Sequence, residues 1–276
     1  MARVALFGDL SGHTVPLYPA LEALGVDLAA DRIPEDLVVV QVGALVHKGP
    51  DGDEAVALVD RMMLANPGRW VQLIGNHEAQ HLAGPGFGTC DCDPSSVDTL
   101  RRWTRSGAMH MAVAVEDAEH GTLLVTHAGL SWPWWRRLGR PATPRAAAAE
   151  LNARFADAER RLALFEPGWM LAWENGVAGV VWAEASRELY GSWLGHRPPF
   201  GQVHGHTSAY RWDSSQWWAS MPEWVRDAAT IDPDTRQSVV PLSGRPFFGI
   251  DPGFGEKAPH RQIAPLMLDG TIYLGC

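Results

Sequence analysis

Five short stretches of this chain carry side chains that can hold a metal ion or move a proton, and each lies beside a glycine. They are Gly8-Asp9-Leu10-Ser11-Gly12-His13, Gly43-Ala44-Leu45-Val46-His47-Lys48-Gly49-Pro50, Gly75-Asn76-His77-Glu78, Thr126-His127-Ala128-Gly129-Leu130 and Gly205-His206-Thr207. A carboxylate, a carboxamide and imidazoles are the oxygen and nitrogen ligands that divalent transition metals take, and imidazole also serves as a general acid or base. Glycine lets the backbone bend sharply and approach a ligand closely. Such chemistry requires the five stretches to meet in space, so the elements that precede them decide whether it can occur.

Those elements read as strands. Residues 2–8, 37–43 and 70–75 are short apolar runs of the kind buried on both faces, with helical patterns at 16–25 and 53–65 between them. Asn66-Pro67-Gly68 stops the second helix. Further along, the pattern predicts a helix over 96–106 and strands over 110–115 and 122–126. An Ala-rich helix opens at Thr143-Pro144, an N-cap with proline behind it, and runs to about residue 163, with another helix over 185–195. Short strands follow near 201–204, 246–250, 263–268 and 271–274. The βαβαβ opening implies a parallel sheet and the late strands a mixed or second sheet. In such sheets ligands gather beyond the carboxyl ends of the strands, which is where all five stretches fall.

In order, strand type and spacing, the series resembles the calcineurin-like metallophosphoesterases. It is most similar to the branch holding the Ser/Thr phosphoprotein phosphatases and the diadenosine-tetraphosphatase-like enzymes. That family's pattern is Gly-Asp-x-His-Gly, Gly-Asp-x-x-Asp-Arg-Gly, Gly-Asn-His-Glu, a His-Ala-Gly strand end and Gly-His-Thr. The likeness runs from residue 3 to about residue 207, and Gly249-Ile250-Asp251-x-Gly253 is similar to the branch's closing strand. The resemblance implies a four-layer αββα sandwich with mixed sheets and a Trp-rich cap region. It implies two metal ions about 3.5–4 Å apart, bridged by a carboxylate and a hydroxide that attacks phosphorus in line. Carried over position by position, it makes Asp9 a ligand of the first metal and Asn76, His127 and His206 ligands of the second. His77 becomes the group that protonates the leaving oxygen or steadies the transition state, and Lys48 stands where the family grips phosphate with arginine.

The departures from the pattern matter as much. Ser11 replaces the first-motif histidine, Ala44 the bridging aspartate, and His47 the aspartate that orients the Gly-Asn-His-Glu histidine. Lys48 keeps a charge but loses the bidentate fork of arginine, and Glu184 aligns with a second family arginine. Two divalent ions bring four positive charges, against which Asp9 is the one mapped carboxylate. The expectation is therefore at most one divalent transition metal (Mn, Zn, Fe or Ni), or none. His13, His47 and His204 lie near the same strand ends and are candidate substitute ligands or outer partners of ligands. The residues also have plainer uses: Asp9 can cap a helix, and Asn76 and His127 can cap backbone at strand ends.

The chain has 276 residues and a formal net charge of −9, a balance that argues against binding a nucleic-acid polymer. There is no run of 18 apolar residues and no secretory leader, so the expectation is a cytoplasmic protein without membrane contact. The cysteines, Cys90, Cys92 and Cys276, are an odd set and read as reduced thiols. A metal site at Cys90 and Cys92 lacks further ligands nearby in sequence, where only acids stand. Gly84-Pro85-Gly86-Phe87-Gly88 reads as a loop. Of 13 tryptophans, eleven lie between Trp132 and Trp224, mostly in the segments 131–200 and 208–240 that read as inserts or caps on a single domain spanning 1–276. Tryptophan offers a flat face to a base, sugar or aryl group, and Trp217 and Trp218, in a polar context, are the candidates for substrate binding. Core packing and a protein-partner surface are the alternative use. Together these readings predict a divergent hydrolase of a phosphate ester or anhydride on an aromatic-bearing small molecule, nucleotide-like. The alternatives are a pseudophosphatase that binds a ligand or protein, and a remodelled site with other chemistry.

Overall fold

The computed structural model describes residues 2–83, 86–87, 92–171, 177–254 and 263–275. Cys90, Cys276, Trp173 and all but Gly86 and Phe87 of the Gly84-to-Gly88 loop lie outside the described residues. The strands, in chain order, are β1 (Ala2–Phe7), β2 (Leu37–Gln41), β3 (Trp70–Leu73), β4 (Met109–His110), β5 (Ala112–Asp117), β6 (Gly121–Thr126), β7 (Gly201–His204), β8 (Tyr210–Arg211), β9 (Gln216–Trp217), β10 (Thr230–Asp232), β11 (Gln237–Leu242), β12 (Arg245–Gly249) and β13 (Leu266–Tyr273). Among the described residues eleven of these make one mixed sheet, ordered β10-β11-β12-β7-β6-β5-β13-β1-β2-β3-β4, and β8 and β9 form a separate hairpin.

One half of the sheet, β1 to β4, is parallel, as expected of strands joined by helices: α1 (Leu17–Ala23), α2 (Gly52–Ala65), α3 (Asn76–Ala79) and α4 (Pro94–Ser106). In the other half β6, β7 and β12 are parallel to one another. β13 joins the halves, antiparallel to both β1 and β5. At the changeover Gly270 pairs with Ala2 and with Asp117, and a Cβ there would sit 1.7 Å from the Glu116 carbonyl oxygen, so only glycine fits.

The sheet folds over on itself. β1 and β12 are five steps apart in strand order, about 24 Å on a flat sheet at 4.8 Å per strand. Yet Gly8, just past β1, lies so close to the carbonyl of Ile250, just past β12, that a Cβ would come within 2.0 Å of its oxygen. A layer of Val4, Leu6, Val40, Val71, Val113, Val125, Val203 and Phe248 draws on strands of both halves. A larger apolar layer packs the helices, with Leu17, Leu58, Trp103 and Leu151 fully buried. The architecture is the mixed αββα sandwich, and its closure brings the carboxyl ends of β1, β2 and β3 against those of β6, β7 and β12.

Three elements differ from the sequence reading. The helix expected to run to about residue 163 breaks into α6 (Pro144–Ala156) and α7 (Ala158–Leu164), because Asp157 accepts the Glu159 and Arg160 N–H groups and caps a new helix. The helix expected over 185–195 is a wide π turn, Ala185–Tyr190, followed by Gly191–Trp193. The two closing strands are one continuous strand, β13. The tryptophans divide: Trp134 (in α5, Trp132–Arg137), Trp182 and Trp193 are core, while Trp169, Trp218 and Trp224 are exposed. No described helix is long and apolar enough to cross a membrane.

Candidate functional site

Sheet closure brings four of the predicted residues together. Asp9 follows β1 and its Oδ1 accepts the backbone N–H of His206 at 2.9 Å. His206 follows β7 in the left-handed region, at φ +64°. Gly205 before it leaves no room for a Cβ, which would meet Asp9 Oδ1 at 2.4 Å, so glycine is what lets the two loops touch. His127 follows β6, and its Nδ1 lies 2.9 Å from the Val42 carbonyl oxygen beyond β2. A carbonyl only accepts, so Nδ1 carries the proton and Nε2 keeps its lone pair. That Nε2 stands 2.9 Å from Oδ1 of Asn76, the first residue of α3. Two acceptors at this distance require a turned amide or a cation shared between them.

The electrostatics agree with a cation. Burial holds the His127 imidazole neutral, down to about 3, and holds His206 well below the ordinary range, with the other imidazoles and Lys48 adding to the effect. Burial also raises the Asp9 carboxyl, and the charge of Asp251 raises it further. Unprotonated imidazoles and buried carboxyls with unmet negative charge are what a divalent ion compensates. Asp9, His127 and His206 each offer a ligand atom within 4.8 Å of the others, and Asn76 adds its amide oxygen. These side chains form a group with the donor types a metal ion takes.

The surrounding loops interlock. The Ala44 carbonyl accepts the N–H groups of Leu10 and Ser11, at 3.1 and 2.7 Å. Glu78, fully buried, accepts the N–H groups of Ala44, Leu45 and Gly75 at 2.9, 2.7 and 2.8 Å and so ties the loops after β2 and β3 together. Ala44 and Ser11 are themselves fully buried and bring no ligand where the resemblance has one; the Ser11 hydroxyl has no hydrogen-bond partner among the described residues. His77 faces the cavity, with Nδ1 2.8 Å from Nδ1 of His47. Burial, then Lys48 and His47, push His77 down to about 2, so it is a neutral imidazole.

The remaining candidates scatter. Lys48 is exposed at the cavity mouth. His13 packs edge-on against Phe254 and beside Gly49. His204 points away, with Nε2 2.6 Å from the Tyr190 hydroxyl and Nδ1 3.0 Å from the Gly205 carbonyl. Glu184 caps the turn that follows it, accepting N–H groups of Ser186 and Arg187. Trp217 packs edge-on against Tyr210, whereas Trp218 is exposed and lines a groove.

Two hollows meet at this point. A cavity of about 740 Å³ holds Asp9, Lys48, Asn76, His77 and Trp182, and a groove of about 670 Å³ holds Trp169, Arg187, Arg211 and Trp218. Met170, His206 and Thr207 line both. Sequence reasoning assigned no role to Met170, whose Sδ lies 3.2 Å from His206 Nε2, because nothing local marks a turn residue as facing a distant strand end. Glu78 and Asp251 stood inside quoted motifs, and only the fold shows that Glu78 accepts three loop N–H groups and that Asp251 lies buried where its charge acts on Asp9.

No protein-family model matches the chain, and no curated relative matches it. Its likeness is to solved structures. The cold-active protein-tyrosine phosphatase of a psychrophile, Shewanella sp., superposes with a TM-score of 0.51 over 91% of this chain and 78% of that one, at 15% identity. A point mutant of a cold-active protein tyrosine phosphatase gives 0.53 over 92% and 72%, at 14% identity. A further structure of a cold-active protein tyrosine phosphatase gives 0.51 over 92% and 70%, at 16% identity. Likeness at such identity speaks for the fold alone. These three neighbours are described as tyrosine phosphatases, and what the chain shares with them is the fold.

Proposed function

We propose that this chain is a metal-dependent hydrolase of phosphate esters or anhydrides, with one divalent transition-metal ion (Mn, Zn, Fe or Ni) held by Asp9, Asn76, His127 and His206. The observation that carries the reading is the meeting of those four side chains at one set of strand ends, with the bare Nε2 of His127 facing the Asn76 amide. When bound, such an ion polarises a phosphoryl oxygen and makes water a better nucleophile at neutral pH.

The chain's own residues supply the rest. Lys48 sets a positive point charge at the cavity mouth, where a phosphate dianion enters, though without the two-pronged grip of arginine. His77, neutral at working pH, offers an N–H hydrogen bond rather than a full proton to the leaving oxygen. Glu184 lines the adjoining groove, but its carboxylate is engaged by the Ser186 hydroxyl and by backbone donors. Trp169 and Trp218 give that groove flat apolar faces, which suits the aromatic part of a nucleotide-like substrate. The test is metal analysis of the purified chain together with hydrolysis of an aryl phosphate across divalent ions. Bound metal and metal-dependent turnover are expected; no bound metal and no turnover with any ion would overturn the reading.

A second reading, a ligand-binding pseudophosphatase, is favoured by Ala44 and Ser11, buried positions that withhold a bridging carboxylate and an imidazole. It predicts that His127→Ala leaves ligand binding intact, whereas the first reading predicts loss of the ion and of turnover.

A further inference from the structure

We propose a second metal site on the same cavity, formed by His47, His81 and Cys92 and suited to zinc or another thiophilic transition metal. This goes beyond the proposed function, whose donor set shares none of these residues. The ring nitrogens of the two histidines and the Cys92 thiol offer ligand atoms that all lie within 4.8 Å of one another. A tetrahedral ion with about 2.0–2.1 Å to nitrogen and about 2.3 Å to sulfur spans such a set.

The convergence is built by unrelated pieces of chain. His47 and Lys48 both adopt left-handed backbone, at φ +71° and +63°, in the turn that Gly49 closes by donating its N–H to the His47 carbonyl. That turn aims the His47 ring across the loop at α3. His77 and His81 are four residues apart on and just after α3 and so present one face. His47 meets both, with Nδ1 2.8 Å from His77 and Nε2 3.1 Å from His81. Cys92 comes from the segment leading into α4, anchored where the Asp93 N–H donates to Asp53 Oδ1 at 3.0 Å. All three residues are half-buried, and His47 and Cys92 line the cavity beside His77.

The donor types point to the ligand. Two imidazoles and a thiolate form a soft set that favours zinc, or cobalt as its probe, over magnesium or calcium. His47 Nε2 faces His81 Nε2 at 3.1 Å, with the Gln80 carboxamide nitrogen 3.0 Å from the same His47 atom, so the proton or cation between the two imidazoles shares that atom with a neighbouring donor. Burial lowers His81, which leaves it in the unprotonated form a metal takes. Three protein ligands on a cavity wall leave a fourth position open to the cavity, the pattern of sites that exchange ligand rather than of closed structural ones. The thiols looked unpromising in sequence because only acids flank them; the imidazoles arrive from residues 47 and 81 through the fold.

The experiment is titration of the full-length, chelator-treated protein with Co2+, followed by its visible and near-ultraviolet spectrum. The expected result is a thiolate-to-cobalt charge-transfer band that is lost, with one equivalent of metal, in Cys92→Ser and in His81→Gln. The band persists in His127→Ala, which removes only the strand-end ion. X-ray absorption of the zinc-loaded unmodified protein provides a check that needs no variant, and should show one sulfur neighbour. Absence of the band at saturating cobalt, absence of a sulfur neighbour, or a band lost in Cys90→Ser yet kept in Cys92→Ser would each overturn the proposal. Failure of the strand-end site would appear separately, as one equivalent of metal missing with the band retained.

Discussion

Asp9, Asn76, His127 and His206 are held by backbone that belongs to the sheet or caps it, whereas His47, His81 and Cys92 are held by turns. The first group is buried, and its positions follow from β1, β6 and β7 meeting at their carboxyl ends. The second is half-buried and depends on a left-handed turn, a short helix and the approach to α4. Both face one cavity, 740 Å³ in volume. A donor set fixed by sheet closure cannot shift without opening the sandwich, so its geometry is costly to disturb. A donor set fixed by turns depends on local backbone, here the left-handed conformation of His47. The chemistry divides in the same way, oxygen and nitrogen on the sheet and nitrogen and sulfur on the turns.

The comparison breaks most readily at His127. Replacing it with alanine should remove the strand-end ion and reduce aryl-phosphate turnover beyond the roughly 10–100-fold typical of losing an outer partner of a metal ligand. Metal analysis and steady-state rates check this, and unchanged rates would place catalysis elsewhere.

Next in size is Glu78→Ala, which strands three buried N–H groups that join the two loops. It should destabilise the fold by about 3–5 kcal/mol, read as a lower urea midpoint, with Glu78→Gln milder. If the two clusters are built as described, this variant weakens metal binding at both.

Acid should act on the buried imidazoles of both loops and sheet. His77, His127 and His204 are buried with pKa values of about 2, 3 and 4, below the ordinary 6.5. Between those values and 6.5 the unfolded chain binds protons that the folded chain refuses, so stability is full above pH 6.5 and falls as pH drops. By pH 5 the loss is about 2 kcal/mol for each histidine, from 1.36 kcal/mol per unit. Thermal unfolding in chelator at pH 7 and pH 5 measures it; a flat midpoint would contradict the neutral buried imidazoles.

The smallest effect belongs to the groove. Trp218→Ala should raise KM for an aryl phosphate roughly fivefold, about 1 kcal/mol, with little change in kcat or stability. Trp217→Ala should do the reverse, because its ring packs on Tyr210.

Much of the frame was legible beforehand. Short apolar runs mark β1, β2, β3 and β6, and glycine with a polar residue marks the strand ends, because buried strands and sharp turns leave few other choices. The break at Asp157 was not legible, since an aspartate can sit in a helix or cap the next one, and its neighbours' N–H groups decide between them. Beside His127, which the resemblance places at the metal, His13 and His204 stand in the sequence as candidate substitute ligands or outer partners. Only the fold separates them, turning one against Phe254 and the other toward the Tyr190 hydroxyl.

By itself the sequence determined the residue types at each strand end, including Ala44 and Ser11, where the pattern it resembles has a carboxylate and an imidazole. These are properties of single positions and need no neighbour to be read. Tertiary structure alone decided which groups share a cavity: Asp251 raising Asp9, Met170 against His206, and His47 and His81 beside Cys92. The physical reason is that Coulombic and ligand contacts act over a few ångströms, while residues 9 and 251, or 47 and 92, become neighbours only when the sheet closes and the loops pack over it.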